Sequence, residues 1–156
     1  MDNNVITIVG PRLQDLAGFD NKEVNNEICK TIVTTLKKHP KSTLLTSANT
    51  GIEMWAAEAA LQLNMPIELV IPCDNFQSKW PAAIRKIYDN IYQEASNRKV
   101  LSSEPWSGKL MFAKEKYMCE QANLIYHFYS VPPRFMVGAN YFSLLKDITC
   151  GYFIEL

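Results

Sequence analysis

Short apolar runs alternate along the chain with longer segments in which apolar residues recur at helical spacing. The strand-like runs are 5–9, 42–47, 67–71, 100–101, 124–129 and 152–154. The segments with helical spacing are 21–38, 52–63, 80–92, 109–121 and 140–146. This alternation predicts one α/β domain, 1–156, with a mostly parallel central sheet and helices on both faces. In such a sheet, ligands bind at the carboxyl ends of the strands.

The chain is organised around residues 44–60, which predict a short strand, a tight polar turn and an alanine-rich helix. A strand that feeds a small-residue turn into a helix leaves unpaired backbone N–H groups aimed at one point. The helix dipole favours negative charge at the same point, so the pattern is typical of a phosphate site. We expect phosphate to be held here by Ser47, Asn49, Thr50 and Gly51.

Glu53 has two possible roles. Thr50 followed three residues later by Glu53 fits the capping box, in which the two side chains satisfy N–H groups at a helix start. An acidic residue at this place can also accept hydrogen bonds from a ribose, as in dinucleotide-binding folds. Spacing alone favours the cap, and the two roles do not exclude each other.

Other candidate ligand-binding residues lie near predicted strand ends. Gly10 and Arg12 follow the first strand, and Arg12 is either a phosphate ligand or a solvated loop residue. Gln77 and Trp80 follow the third strand, where an amide and an aromatic ring suit a base, although Trp80 could equally anchor the core. Trp106, on a polar loop, is either a stacking lid or a plug over the core.

Two further candidates are basic. Lys114 lies on the helix 109–121, where lysines such as Lys114 and Lys116 usually form the solvated face. Arg134 follows two prolines, so it stands on a stiff loop from which it could reach a phosphate. A histidine in an apolar strand, such as His127, is more often structural than catalytic.

Composition narrows the possible partners. The 156 residues carry a formal net charge of zero, which disfavours nucleic acid as a partner. No apolar run has membrane-spanning length and the start of the chain lacks a signal-peptide pattern, so we expect a cytoplasmic protein without a membrane partner. Four dispersed cysteines and two histidines have no metal-site spacing, so we expect reduced thiols and no metal.

Several segments resemble a known family. The run 51–58, G-I-E-M-W-A-A-E, is similar to the G-x-E-x-W-A-A-E segment of small bacterial YpsA-like proteins. Their order of proline, glutamine, tryptophan and a tyrosine-rich helix is matched by Pro72, Gln77, Trp80, Tyr88 and Ala95. Residues 114–118 and 122–125 are similar to their R-N-x-x-M helix and the strand after it. The resemblance covers roughly residues 44–129.

These relatives belong to the SLOG superfamily, so the resemblance implies a Rossmann-like three-layer sandwich. The superfamily also includes Lonely Guy phosphoribohydrolases, DNA-processing protein A and domains that bind ADP-ribose derivatives. The implied function is sensing or sequestering a nucleotide-derived small molecule, such as an ADP-ribose derivative or a nucleoside phosphate. The alternative is a phosphoribohydrolase-type N-glycosidase, in which Glu53 would be catalytic.

Departures from the Lonely Guy pattern favour binding over catalysis. Their P-G-G-x-G-T-x-x-E turn is replaced by 47–53, which has a single glycine and so leaves less room for backbone to approach a phosphate. Lys114 replaces the helix arginine of the family and loses its bidentate fork. No cofactor is expected. Apolar residues on the helices that carry Trp55 and Tyr88 predict a homodimer or higher homo-oligomer.

Overall fold

The computed structural model describes residues 4–12, 22–129 and 151–155. These residues form six strands and four α-helices. The strands are β1 Val5–Val9, β2 Thr43–Thr46, β3 Ile67–Ile71, β4 Asn97–Val100, β5 Leu124–Tyr129 and β6 Gly151–Glu155. The helices are α1 Lys22–Lys37, α2 Ile52–Gln62, α3 Ala82–Glu94 and α4 Gly108–Gln121.

The six strands form one sheet in the order β4-β3-β2-β1-β5-β6. Every neighbouring pair is parallel. The chain starts at β1, moves outward to the β4 edge, and then returns to the other side of β1 as β5. The strand order therefore reverses between β1 and β5, and open α/β sheets bind ligands at this kind of switch point.

The helices cover both faces of the sheet. Helices α1, α2 and α3 share one apolar cluster with Ile6 and Ile8, which lie on one face of β1. Helix α4 packs on the other face, where Met118 and Cys119 join Val9 in a second cluster. Right-handed crossovers explain the division, because the chain reverses its direction across the sheet between β4 and β5. The predicted α/β fold with a parallel sheet and helices on both faces is confirmed.

Element positions agree with the sequence except at the β4 edge. Strand β4 begins at Asn97, three residues before the predicted start, and all four of its residues are exposed. Its exposed polar residues carry no strand pattern, and its pairing with β3 alone defines it.

The predicted helix 140–146 and Arg134 lie outside the described residues. Within the described ranges, no helix is long and apolar enough to cross a membrane.

The prediction of an oligomer is based on apolar residues of α2 and α3, and the fold buries most of their surface in its own core. Tyr88 is buried, and Trp55 is half-buried against the same apolar cluster. The large apolar side chains that are exposed on the helices are instead Ile87 and Tyr92 of α3 and Phe112 of α4. Self-association stays a prediction.

Candidate functional site

The turn between β2 and α2 differs from its predicted form at the helix start. Helix α2 begins at Ile52, its N-cap is Gly51, and no side chain caps it. Gly51 has a φ of 91° and a ψ of −131°, a backbone conformation that essentially only glycine adopts. Thr50 as N-cap, and with it the capping box, is therefore wrong. The conformation of Gly51 moves the helix start one residue beyond Thr50.

The Glu53 carboxylate is used in tertiary contacts rather than for local capping. Ser47 at the end of β2 donates to Glu53 Oε1 twice, from Oγ at 2.7 Å and from its backbone N–H at 3.3 Å. Lys114 Nζ donates to Glu53 Oε2 at 3.0 Å. Ser47, directly after β2, and residues of α2 and α4 thus meet at the carboxylate of Glu53, a residue that is only 3% exposed. The carboxylate of Glu115, the next residue on α4, also contacts the Lys114 ammonium. We call Ser47, Glu53, Lys114 and Glu115 the carboxylate centre.

Lys114 is buried and paired with two carboxylates. Its residue exposure is 1%, so the interpretation of this lysine as part of a solvated face is wrong. Lys114 Nζ lies 3.0 Å from Glu53 Oε2 and 2.6 Å from Glu115 Oε1. Burial alone would lower the pKa of Lys114, but Glu115 and Glu53 outweigh burial and raise it. The ammonium therefore stays protonated inside the protein.

Glu115 is a member of this centre that the sequence reasoning did not single out. The spacing of Leu110, Lys114 and Met118 indicates that Lys114 lies on the same helix face as two apolar residues, because residues four apart lie on the same face of a helix. Leu110 and Met118 pack into the apolar clusters, so this spacing places Lys114 on a buried face. A buried lysine requires a partner, which an adjacent glutamate can provide.

The end of β1 lies against the start of α2. The backbone N–H of Ile52 donates to the carbonyl of Pro11 at 3.3 Å. A Cβ added to Gly10 would lie 2.9 Å from Ile52 Cγ1 and 3.0 Å from the Phe128 carbonyl oxygen. Gly10 therefore allows α2 and β5 to approach β1 closely. The half-buried Arg12 follows two residues later, near the start of α2.

Several N–H groups of the predicted phosphate turn have partners within the protein. The N–H of Ala48 donates to Thr46 Oγ1 at 3.0 Å, and the N–H of Thr50 donates to Asn49 Oδ1 at 2.9 Å. The N–H of Ser47 donates to Glu53 Oε1. A phosphate bound at this turn would compete with these hydrogen bonds, so its binding would require local rearrangement.

Gln77, Trp80 and Trp106 lie in the loops that follow β3 and β4. The Trp80 ring packs edge-on against Phe76 and Tyr88, with ring centroids 5.0 and 5.5 Å apart, so in this structure it anchors an aromatic cluster. Gln77 is half-buried beside this cluster. Trp106 is 60% exposed, so it does not plug the core.

His127 is buried on β5, next to Val9 of β1. Burial lowers its pKa to about 4, so the imidazole is neutral at neutral pH. Over the described part of the chain, no group of three or more histidine, cysteine, aspartate or glutamate residues could hold a metal ion.

Comparison with known proteins places this geometry in a family. Residues 6–133 match the family model YpsA, described as a SLOG family. A UPF0398 protein of Lactobacillus delbrueckii subsp. bulgaricus is 26% identical over an alignment of 134 positions that covers 78% of this chain and 72% of the relative.

Two solved structures have a similar fold. One is DNA processing protein A from Helicobacter pylori, described for its single-stranded DNA binding mode, with a TM-score of 0.61 and 13% identity. The other is DNA processing protein A from Streptococcus pneumoniae, with a TM-score of 0.57 and 15% identity. The alignments cover 92% and 96% of this chain but only 60% and 58% of those chains. At these identities the likeness concerns the fold alone. The match over residues 6–133 shows that the chain belongs to the YpsA family of SLOG proteins.

Proposed function

We propose that this protein binds a nucleotide-derived small molecule, such as an ADP-ribose derivative or a nucleoside phosphate, beside Glu53. The observation that carries the proposal is the buried Glu53 carboxylate, held between Ser47 and Lys114 at the carboxyl end of β2. Transfer of ions from water into a protein interior is costly. The pKa of Lys114 is raised by Glu115 and Glu53, and buried charges with shifted pKa values concentrate at functional sites. A carboxylate fixed at this edge of a Rossmann-like sheet is suited to accept hydrogen bonds from ribose hydroxyls.

A phosphate on the same ligand would bind at the neighbouring helix start. Arg12 follows β1 there, and the N-terminus of α2 favours negative charge. Gln77 and Trp106 lie in loops after β3 and β4 and are the candidates for contact with a base. This division assigns the sugar to the carboxylate centre and the phosphate to the β1–α2 junction.

Binding without turnover is the favoured form of this function. Lys114 and Ser47 both donate to the Glu53 carboxylate, so the fold uses this group as an acceptor of hydrogen bonds. The turn 47–51 contains one glycine and already uses several of its N–H groups internally. An N-glycosidase is the alternative, in which the Glu53 carboxylate would stabilise positive charge on the sugar as the bond to the base breaks.

The test measures thermal stability and release of free base in the same samples, with ADP-ribose and nucleoside monophosphates as probes. A ligand that binds only the folded state raises the unfolding temperature. We expect stabilisation without base release, and loss of that stabilisation in Glu53→Gln. Glu120→Gln is the matched control, because its carboxylate is exposed on the same helix as Lys114. If the unmodified protein releases free base and Glu53→Gln abolishes that release, the protein is the N-glycosidase instead. Stabilisation unchanged in Glu53→Gln would contradict the proposed site.

Nucleic acid is a second candidate because the H. pylori protein of similar fold is described as binding single-stranded DNA. The exposed edge strand β4 carries Arg98 and Lys99, which could contact a phosphate backbone. The net charge of zero gives this candidate less support. The test measures binding of a labelled oligothymidylate. Affinity that falls steeply with added salt, and that falls further in Arg98→Ala and Lys99→Ala, would favour nucleic acid as the partner.

A further inference from the structure

Helix α4 has an exposed side opposite the side that packs on the sheet. Lys114 and Met118 are buried and lie on its inner side. Positions three or four apart lie on the same side of a helix. The exposed residues that share the outer side in this way are Lys109, Phe112, Ala113, Lys116 and Glu120. We call these five residues the α4 outer face.

The charges of the α4 outer face have opposite signs at its two ends. Lys109 lies near the start of the helix and Glu120 near its end. In a two-fold pair of antiparallel helices, a residue of one copy contacts a different residue of the other copy. Lys109 would then lie opposite the partner subunit's Glu120. About the same midpoint, Ala113 would lie opposite the partner subunit's Lys116. A parallel pair would place lysine against lysine, which is unfavourable.

Aromatic side chains would provide the apolar contact of such a pair. Phe112 is 42% exposed and lies near the middle of the outer face, next to the small Ala113. Trp106 stands directly before the N-cap Ser107 and is 60% exposed. The start of one antiparallel helix lies beside the end of the other, so Trp106 would lie near the end of the partner's α4. Burial of these rings in both copies would favour association.

The exposed apolar residues of α3 do not form a comparable surface. Ile87 and Tyr92 are five positions apart, so they lie about 140° apart around the helix. The Arg98 guanidinium lies over the Tyr92 ring, with its central carbon 4.7 Å from the ring centroid. A helix packed against α3 would therefore not contact both side chains.

We propose that the α4 outer face is a dimer interface, on which a second copy of this chain packs its own α4 antiparallel about a two-fold axis. A second copy is the occupant because the face is complementary to itself in charge. Exposed ion pairs add little affinity, but they fix the register of the two helices. The contact is limited to one helix of 14 residues and Trp106 from each copy, so we expect a small interface and a dimer that dissociates on dilution. The inference goes beyond the proposed function and requires no ligand.

The experiment measures self-association by sedimentation velocity at increasing protein concentration. We expect a monomer–dimer equilibrium in the unmodified protein. Lys109→Glu and Glu120→Lys each place like charges opposite each other, so each variant alone should dimerise at least several-fold more weakly. A mixture of the two variants restores unlike charges at both ends of the pair, so it should form a heterodimer about as tight as the unmodified dimer. Glu94→Lys makes the same change of charge at an exposed position of α3, and this control should leave dimerisation unchanged.

Three results would contradict the proposal. A monomer at every concentration would overturn the dimer itself. A dimer that is equally tight in Phe112→Ser and in Glu120→Lys would mean that another surface forms it. Two weakened variants whose mixture stays monomeric would overturn the antiparallel register. Circular dichroism checks that each variant is folded, which we expect because the altered side chains are exposed. None of these results bears on ligand binding beside Glu53.

Discussion

Helices α2 and α4 begin at the same edge of the sheet in different ways. At α4 the Ser107 side chain accepts a hydrogen bond from the N–H of Leu110, which is an ordinary N-cap. At α2 the N-cap is Gly51, no side chain caps the helix, and the Glu53 carboxylate contacts Ser47 and Lys114 instead. The start of α4 is stabilised locally, and the start of α2 depends on distant parts of the chain.

The difference shows where the sequence departs from local consistency. A threonine and a glutamate at the right spacing would have capped α2, as they cap many helices. The fold instead commits the glutamate to a buried ion pair with a residue 61 positions away. Departures of this kind are expected at functional sites.

The sharpest test of this comparison is Lys114→Met. Removing the ammonium leaves the Glu53 carboxylate buried without its cation, so we expect a loss of about 3–5 kcal/mol in the free energy of unfolding. Urea denaturation followed by circular dichroism measures it. Lys116→Met on the same helix is the control and should change stability by less than about 0.5 kcal/mol, because that lysine is exposed. Equal losses in both variants would show that α2 does not depend on the buried pair.

A second test adds one methyl group at each helix start. Gly10→Ala places a Cβ against Ile52, the first residue of α2, and we expect a loss of about 1–3 kcal/mol from overpacking. Gly108→Ala at the first residue of α4 meets nothing within 4 Å. It should be neutral or stabilise by up to about 1 kcal/mol, since alanine reduces the freedom of the unfolded chain. Thermal unfolding of the two variants compares them, and a tolerated Gly10→Ala would contradict the close packing at α2.

The smallest effect is expected at the α4 cap. Ser107→Ala removes the acceptor for the Leu110 N–H and should lower the free energy of unfolding by about 1 kcal/mol. Ser107→Asp keeps an acceptor and adds a negative charge at the helix start, so it should restore that stability. Chemical denaturation of both variants decides the point. A loss in Ser107→Ala as large as in Lys114→Met would mean that the two helix starts do not differ as described.

Elements with a clear apolar pattern could be predicted from sequence, and the exposed edge could not. Strands β1, β3 and β5 have buried residues on both faces, and their apolar runs placed them correctly. Strand β4 has four exposed residues, so only its pairing with β3 makes it a strand. Pairing between distant segments has no local signature when the side chains are solvated.

The candidate site shows the same division. Local spacing suggested that Glu53 caps its own helix, whereas the fold pairs it with Lys114. The resemblance had singled out both residues, because it carries information about distant contacts that periodicity lacks. Glu115 escaped both kinds of reasoning. It stands where the R-N-x-x-M motif of the family has asparagine, and its neighbour Lys114 is recognisable as buried only from the spacing of the helix.

The placement of β1 also governs the order in which the sheet can form. β1 pairs with β2 on one side and with β5 on the other, and the N–H of Val5 donates to Asn123 Oδ1 across 118 positions. Pairing over such separations is slow, because a long loop must close first. During synthesis, one edge of β1 therefore stays unpaired until more than 120 residues have emerged. During that interval the unpaired edge of β1 can pair with another chain, which is a route to aggregation.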